Sequence, residues 1–301
     1  MFDPKSASLK RSIASGRSLG VIWLSLGSPA LAEIAAACRP DAIVIDMQHG
    51  LWERRDLEAA IGLVPSTIPV VVRVAENSAL SIGTALDAGA EGVIVPLIET
   101  AEEAQRAVSF CKYPPHGVRS GGGVRPLRNF VDYVQGADDI AVILMVETAR
   151  GVANVAGIAA TPGVDMLFIG TGDLALSIGT FPRPAHEHAV ACADIHRASR
   201  AEWVPCGIFT TSTEAAAMRR AQGYRMVVLA NDIDLAQRGF AATVEHFRGT
   251  TASDAPPEPA PTRLEATPST PILSAAREEP LPVPKQQRRL PAPTRARRRR
   301  S

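Results

Sequence analysis

Five polar residues stand at or just beyond the ends of apolar runs: Asp46 and His49 in VIDMQHG, Arg73 in VVVRVA, Glu147 in AVILMVE and Asp173 in FIGTGD. Two carboxylates, with water and substrate oxygens completing the shell, make a site for a hard divalent cation, Mg2+ or Mn2+. A guanidinium beside them stabilises negative charge developing on an oxygen. An imidazole is suited to general-base work near neutral pH. That combination points to aldol chemistry, or to proton transfer next to a carbonyl. Each residue alone also has a plain structural reading. His49 could be structural, Arg73 half of a buried ion pair, and Trp23, in the first apolar run, a core residue. Glu147 could open the helix at VETARGV and Asp173 could cap DLALS, because acids favour helix starts. Gathering two carboxylates, a guanidinium and an imidazole into one mouth costs too much desolvation to arise from packing alone.

The elements that must position these residues recur along the chain. Apolar, β-branched runs at 20–26, 41–47, 69–75, 91–97, 141–147, 164–170, 204–209 and 224–230 read as strands. Between them lie Ala-rich segments such as PALAEIAAAC, ALSIGTALDAGA and TEAAAMRRAQG, with apolar residues at helical spacing. Strands that read as continuous apolar runs are buried on both faces, as parallel strands covered by helices are. Eight such units over residues 1–248 predict an α/β protein with a (β/α)8 barrel. A doubly wound open sheet would need a phosphate-binding glycine turn after its first strand, and SLGSPA is a poor version of one. In a barrel the strands' carboxyl ends carry the site, which is where the five residues stand. Residues 117–140, with GVRSGGGVRP and a short helix, interrupt the alternation, and a long loop in a compact domain is usually functional.

Composition narrows the classes. Residues 251–301 hold ten Lys/Arg and five Asp/Glu, so the tail carries +5 and the rest of a chain with net charge +1 carries −4. A mildly acidic body argues against nucleic-acid binding by the barrel. Eleven of the 24 prolines fall beyond residue 248, and a segment so poor in apolar residues is expected to be a disordered, solvated tail spanning 249–301. Cys38, Cys111, Cys192 and Cys206 form no CxxC pair and read as reduced core residues of a cytoplasmic protein. No apolar run approaches the ~18 residues of a membrane span, so no membrane partner is expected. Lys5, Lys10, Lys112 and Lys285 are the only lysines and none ends a strand, which disfavours a Schiff-base mechanism. His186 and His188 are two apart and face different sides of a helix, so they are a poor chelating pair.

Taken jointly, VIDMQHG, VVVRV, ALDAGAEGVIVPLIET, YPPHGVRS, VET and FIGTGDLALSIG over residues 15–247 resemble the HpcH/HpaI family of class II pyruvate aldolases. The resemblance implies a metal-dependent lyase that cleaves a 4-hydroxy-2-oxo acid to pyruvate and an aldehyde, working as a homo-oligomer, commonly a hexamer. It assigns His49 as catalytic base, Arg73 as transition-state stabiliser, and Asp87 as an acid that raises the basicity of that histidine across a subunit interface. Asp46 is the nearer alternative partner in sequence. Glu147 and Asp173 match the metal ligands. Gly170, Thr171 and Gly172, with Trp23 and Met145, fall at substrate-binding positions. Two departures stand out: Gln48 replaces a common Glu, and Met145 replaces a substrate-contacting Gln whose amide hydrogen bond a thioether cannot supply. A citrate-lyase-β or malyl-CoA-type lyase is the related alternative, and a ligand-binding barrel that has lost turnover is the non-enzymatic one.

Overall fold

Eight parallel strands close on one another in chain order, β1 pairing with β2 and so on round to β8 against β1. They are β1 Leu19–Leu24, β2 Ala42–Asp46, β3 Val70–Arg73, β4 Gly92–Val95, β5 Ala141–Val146, β6 Met166–Ile169, β7 Cys206–Ile208 and β8 Met226–Asn231. The helices are α1 Leu9–Ala14, α2 Pro29–Ala37, α3 Arg54–Leu63, α4 Ala79–Asp87, α5 Ala101–Cys111, α6 Phe130–Gln135, α7 Ala149–Ala153, α8 Val155–Ala159, α9 Thr171–Ser177, α10 His186–Ala201, α11 Thr213–Ala221 and α12 Asp232–Gly249. This computed structural model describes residues 8–183 and 186–249. The expected Pro/Arg-rich tail lies outside the described residues, apart from its first residue, Gly249, which ends α12. The (β/α)8 barrel is thus the observed fold, and the predicted strands match the observed ones to within two residues at each end.

Side-chain parity sorts the strands into two layers. Val21 and Trp23 of β1, Val44 of β2, Val71 of β3, Ile143 and Met145 of β5, and Met166 and Phe168 of β6 pack together inside the barrel. Their neighbours in sequence, such as Ile43, Ile45, Val72, Leu144 and Leu167, pack outward under the helices. Helix α1 contributes Leu9 and Ile13 to the inner cluster, so it plugs the amino end of the barrel. Gly92 makes room for that plug, since a Cβ there would stand 2.8 Å from a Leu9 methyl. The helices start on hydroxyl caps: Ser28, Ser78, Thr100, Thr148 and Ser212 each accept a backbone N–H of the first turn, contributing about 1 kcal/mol apiece.

One detail differs from expectation. Cys38 is exposed at the carboxyl end of α2, and only Cys111, Cys192 and Cys206 are buried. The short helix expected within residues 117–140 is α6, flanked by 3-10 turns. Helix α9 begins two residues after β6 ends, so Asp173 belongs to its first turn. Among the described residues no helix is long and apolar enough to cross a membrane.

Replacing Leu9 by Ala empties the stopper of the barrel, and a buried Leu→Ala change costs about 2–5 kcal/mol. Urea denaturation of L9A should show an unfolding free energy lower by that amount, and an unchanged midpoint would mean that α1 is dispensable to the core.

Candidate active site

The parity that points Val44, Val71, Met145 and Phe168 inward also points Asp46, Arg73, Glu147 and Gly170 inward, one step nearer the carboxyl ends. Register then makes Asp46 and Arg73 direct cross-strand partners. Arg73 donates Nε to Asp46 Oδ1 at 2.8 Å and Nη2 to Oδ2 at 2.5 Å. The indole Nε1–H of Trp23 donates to Oδ2 at 3.3 Å, and the Arg73 guanidinium carbon lies 5.0 Å from the centroid of the same indole. The backbone N–H groups of Gln48 and His49 donate to Oδ1 at 3.1 and 3.3 Å, so Asp46 also shapes the turn that carries the histidine. Asp46 is only 2% exposed. Burial alone would raise its pKa, but Arg73 and the N–H donors outweigh it and hold the carboxyl below its ordinary value. Asp46 is therefore an anion that orients Arg73, and it meets His49 at the backbone.

Glu147 is in the opposite state. It is 1% exposed, and its Oε1 accepts the Leu97 backbone N–H at 2.9 Å. Its Oε2 is buried with no hydrogen-bond partner among the described residues. Burial, and then the charge of neighbouring Asp173, push the Glu147 carboxyl up to about 7, against the opposing pull of the Leu97 N–H and Arg73. Glu147 and Asp173 are therefore electrostatic neighbours. A Cβ on Gly170 would stand 2.1 Å from Glu147 Oε2, so glycine is required where β6 passes the carboxylate. Among the described residues no cluster of three or more His, Cys, Asp or Glu could hold a metal. A buried, unpartnered carboxylate oxygen facing a second carboxylate nevertheless fits a hard cation that takes its other ligands from water and substrate.

The remaining expected residues separate into two groups. His49 is exposed just past β2 at this mouth, while the Gln48 Oε1 beside it is buried without a partner. Trp23 and Met145 lie beneath the charged layer, 2% and 1% exposed, and pack within the inner cluster. Gly172 has open space where a side chain would stand. Thr171 is held by its carbonyl, 3.0 Å from Nε2 of the buried His188, while His186 is exposed, so those two histidines do face different ways. Asp87 is elsewhere. It ends α4, at the opposite end of the barrel from the strands' carboxyl termini, and accepts Arg119 Nη2 at 2.9 Å. Of the four lysines, Lys10 and Lys112 are described and both are engaged away from the mouth, with Asp165 and with Asp138 and the Ala137 carbonyl.

Sequence reasoning missed Leu97 and His188. Leu97 adopts φ 55°, a left-handed conformation uncommon for a branched residue, and this turn aims its N–H at Glu147. The only signal for it was the glutamate it serves. His188 was weighed as a ligand, whereas its role in the structure is to anchor the backbone that leads to Asp173.

The profile of the family described as HpcH/HpaI aldolase/citrate lyase matches residues 19–238. The hydroxypyruvate/pyruvate aldolase of Paraburkholderia phytofirmans is 38% identical over 239 residues, 75% of this chain and 92% of that one. The 4-hydroxy-2-oxovalerate aldolase of Rhodococcus jostii is 33% identical over 246 residues, 80% of this chain and 95% of its own length. The crystal structure of an HpcH/HpaI aldolase/citrate lyase family protein from Burkholderia cenocepacia superimposes with a TM-score of 0.76 at 36% identity, covering 80% of this chain and 99% of that one.

Because the folded chain holds the Glu147 proton up to about pH 7, whereas an unfolded glutamic acid releases it near 4.5, folding retains a proton between those values. Stability therefore falls as pH rises through that window, by about 1–3 kcal/mol once the anion is fully formed. Glu147→Gln removes the penalty and can donate its amide to Asp173. In chelator at pH 8 it should raise the thermal midpoint by roughly 3–8 °C, with no gain near pH 4.5. An equal shift at both pH values would refute the ionisation account.

Proposed function

The chain belongs to the HpcH/HpaI aldolase/citrate lyase family, and from that premise we propose a divalent-metal-dependent aldolase that cleaves a 4-hydroxy-2-oxo acid to pyruvate and an aldehyde. The observation that carries this reading is the unpartnered Glu147 Oε2, facing Asp173 beside an arginine already fixed by Asp46. Glu147 and Asp173 would hold the cation, Mg2+ or Mn2+, which supplies Lewis-acid polarisation of the 2-oxo acid. His49 accepts the proton of the C4 hydroxyl. The C3–C4 bond breaks as the C4–O bond becomes the aldehyde carbonyl, and its electron pair passes to C3 and the C2 carbonyl oxygen. Arg73, preorganised by its two bonds to Asp46, donates to the enolate oxygen, where charge develops. Protonation at C3 then gives pyruvate. The amino-terminal N–H groups of α9 at Thr171 and Gly172 would receive the substrate carboxylate, with open space around Gly172. At Met145 the pocket offers a buried thioether, so the 2-oxo acid is held without an amide contact from that side.

Among the described residues no carboxylate bonds the imidazole of His49, and Asp87 stands at the far end of the barrel. We therefore place Asp87 of a neighbouring copy against His49, in a homo-oligomer with the site at its interface and with a hexamer as the family's habit. The exposed apolar residues of α12, among them Ile233, Leu235, Val244 and a 73% exposed Phe240, give such an assembly surface to bury. The free, buried thiols of Cys111, Cys192 and Cys206 suit a cytoplasmic enzyme.

Purified protein should release pyruvate from a panel of 4-hydroxy-2-oxo acids, lose that activity in chelator and regain it with Mg2+ or Mn2+. His49→Ala should lower kcat by about 10²–10⁴-fold. Activity indifferent to chelation rejects the cation. The shared site has its own test, in which inactive H49A and D87N subunits are unfolded together and reassembled. If each site draws one residue from each of two copies, random assembly restores about a quarter of the wild-type activity. No recovery would confine the site to one chain.

A further inference from the structure

Away from the mouth, α10 and α11 leave between them a cavity of about 630 Å³ lined by His196, Arg197, Arg200, Arg219, Gln222 and Tyr224. It lies at the amino end of the barrel, where the carboxyl ends of both helices approach the start of β8. Its floor is built. Tyr224 is buried, the His196 ring stacks on it with centroids 4.3 Å apart and planes 18° from parallel, and the Arg219 guanidinium lies 5.6 Å from the tyrosine centroid. Arg219 is steadied further by donating Nη1 to Gln222 Oε1 at 3.0 Å. Among the described residues no carboxylate lines the cavity.

Charge accounting decides whether these cations only offset helix ends. The carboxyl ends of α10 and α11 present about half a negative charge each. Asp194 pairs with Arg197. That leaves Arg200, Arg219 and the nearby Arg225 in excess by about two charges. The imidazole reports the same field, because burial and then Arg200, Arg225 and Arg219 disfavour the protonated His196, against a backbone hydrogen bond at Gly223 that favours it. A cavity of this size accommodates a small organic ligand, and clustered guanidiniums with a planar ring among them suit phosphoryl oxygens.

We propose that this cavity is a binding site for a polyphosphate-bearing small molecule, separate from the aldolase mouth. The phosphoryl groups bridge Arg200 and Arg219, and the exposed edge of His196 contacts them or the base of a nucleotide.

The tail carries ten Lys/Arg of its own, so the readout must be local. The full chain is titrated with inorganic pyrophosphate, and separately with ADP, in about 0.15 M salt, while the His196 C2–H resonance is followed by NMR and assigned with H196Q. A saturable shift of that resonance, with its titration moved to higher pH by the bound anion, is expected. Arg200→Gln together with Arg219→Gln should weaken binding at least about 10-fold. Arg200→Gln alone, which leaves the stack on Tyr224 intact, should weaken it several-fold and leave pyruvate release unchanged. Tighter binding of ADP identifies a nucleotide, and equal binding identifies bare phosphates. The site is overturned if His196 gives no saturable response at millimolar ligand, or if the double variant binds undiminished, which would locate the anion on the tail.

Discussion

The pair between Asp46 and Arg73 sets the geometry of the mouth. Neither member could occupy the barrel interior alone, because an unpaired buried charge is severely penalised. Together they form two parallel hydrogen bonds across adjacent strands, and the indole of Trp23 both donates to the carboxylate and lies under the guanidinium. The arginine is thereby held with little freedom. The same carboxylate receives two backbone N–H groups from the turn bearing His49. One anion thus couples the position of His49 to that of Arg73.

Glu147 shows the complementary use of burial. Where Asp46 has every lone pair engaged, Glu147 keeps one oxygen bare and one neighbour of like charge. An arrangement that penalises the isolated protein is what a cation site requires, since the ion relieves both the unmatched lone pair and the repulsion. Gly170 and Leu97 exist in their unusual forms because of it. One gives up a side chain, and the other takes a left-handed turn to direct an N–H at the carboxylate.

Most of this is legible in the sequence. Alternation of β-branched runs with Ala-rich segments yields eight strands and the barrel, and a period of two then sends Asp46, Arg73, Glu147 and Gly170 to one mouth. What escaped reading depends on backbone conformation or on packing between distant segments. Leu97 carries no turn residue to betray its φ. Nothing local to residues 117–140 says that Arg119 folds back onto Asp87 between Tyr113 and Tyr133. Cys38 was expected in the core, but α2 ends beside it and turns it to solvent. His188 illustrates a further limit, because its spacing from His186 argues against a metal pair but does not reveal that its ring meets the Thr171 carbonyl.

The stopper formed by Leu9 and Ile13 has a bearing on traffic. With the lower end sealed and the interior filled by Trp23, Met145 and Phe168, the barrel has no through-passage. Whatever reaches the layer of Asp46, Arg73 and Glu147 must therefore enter and leave by the upper rim.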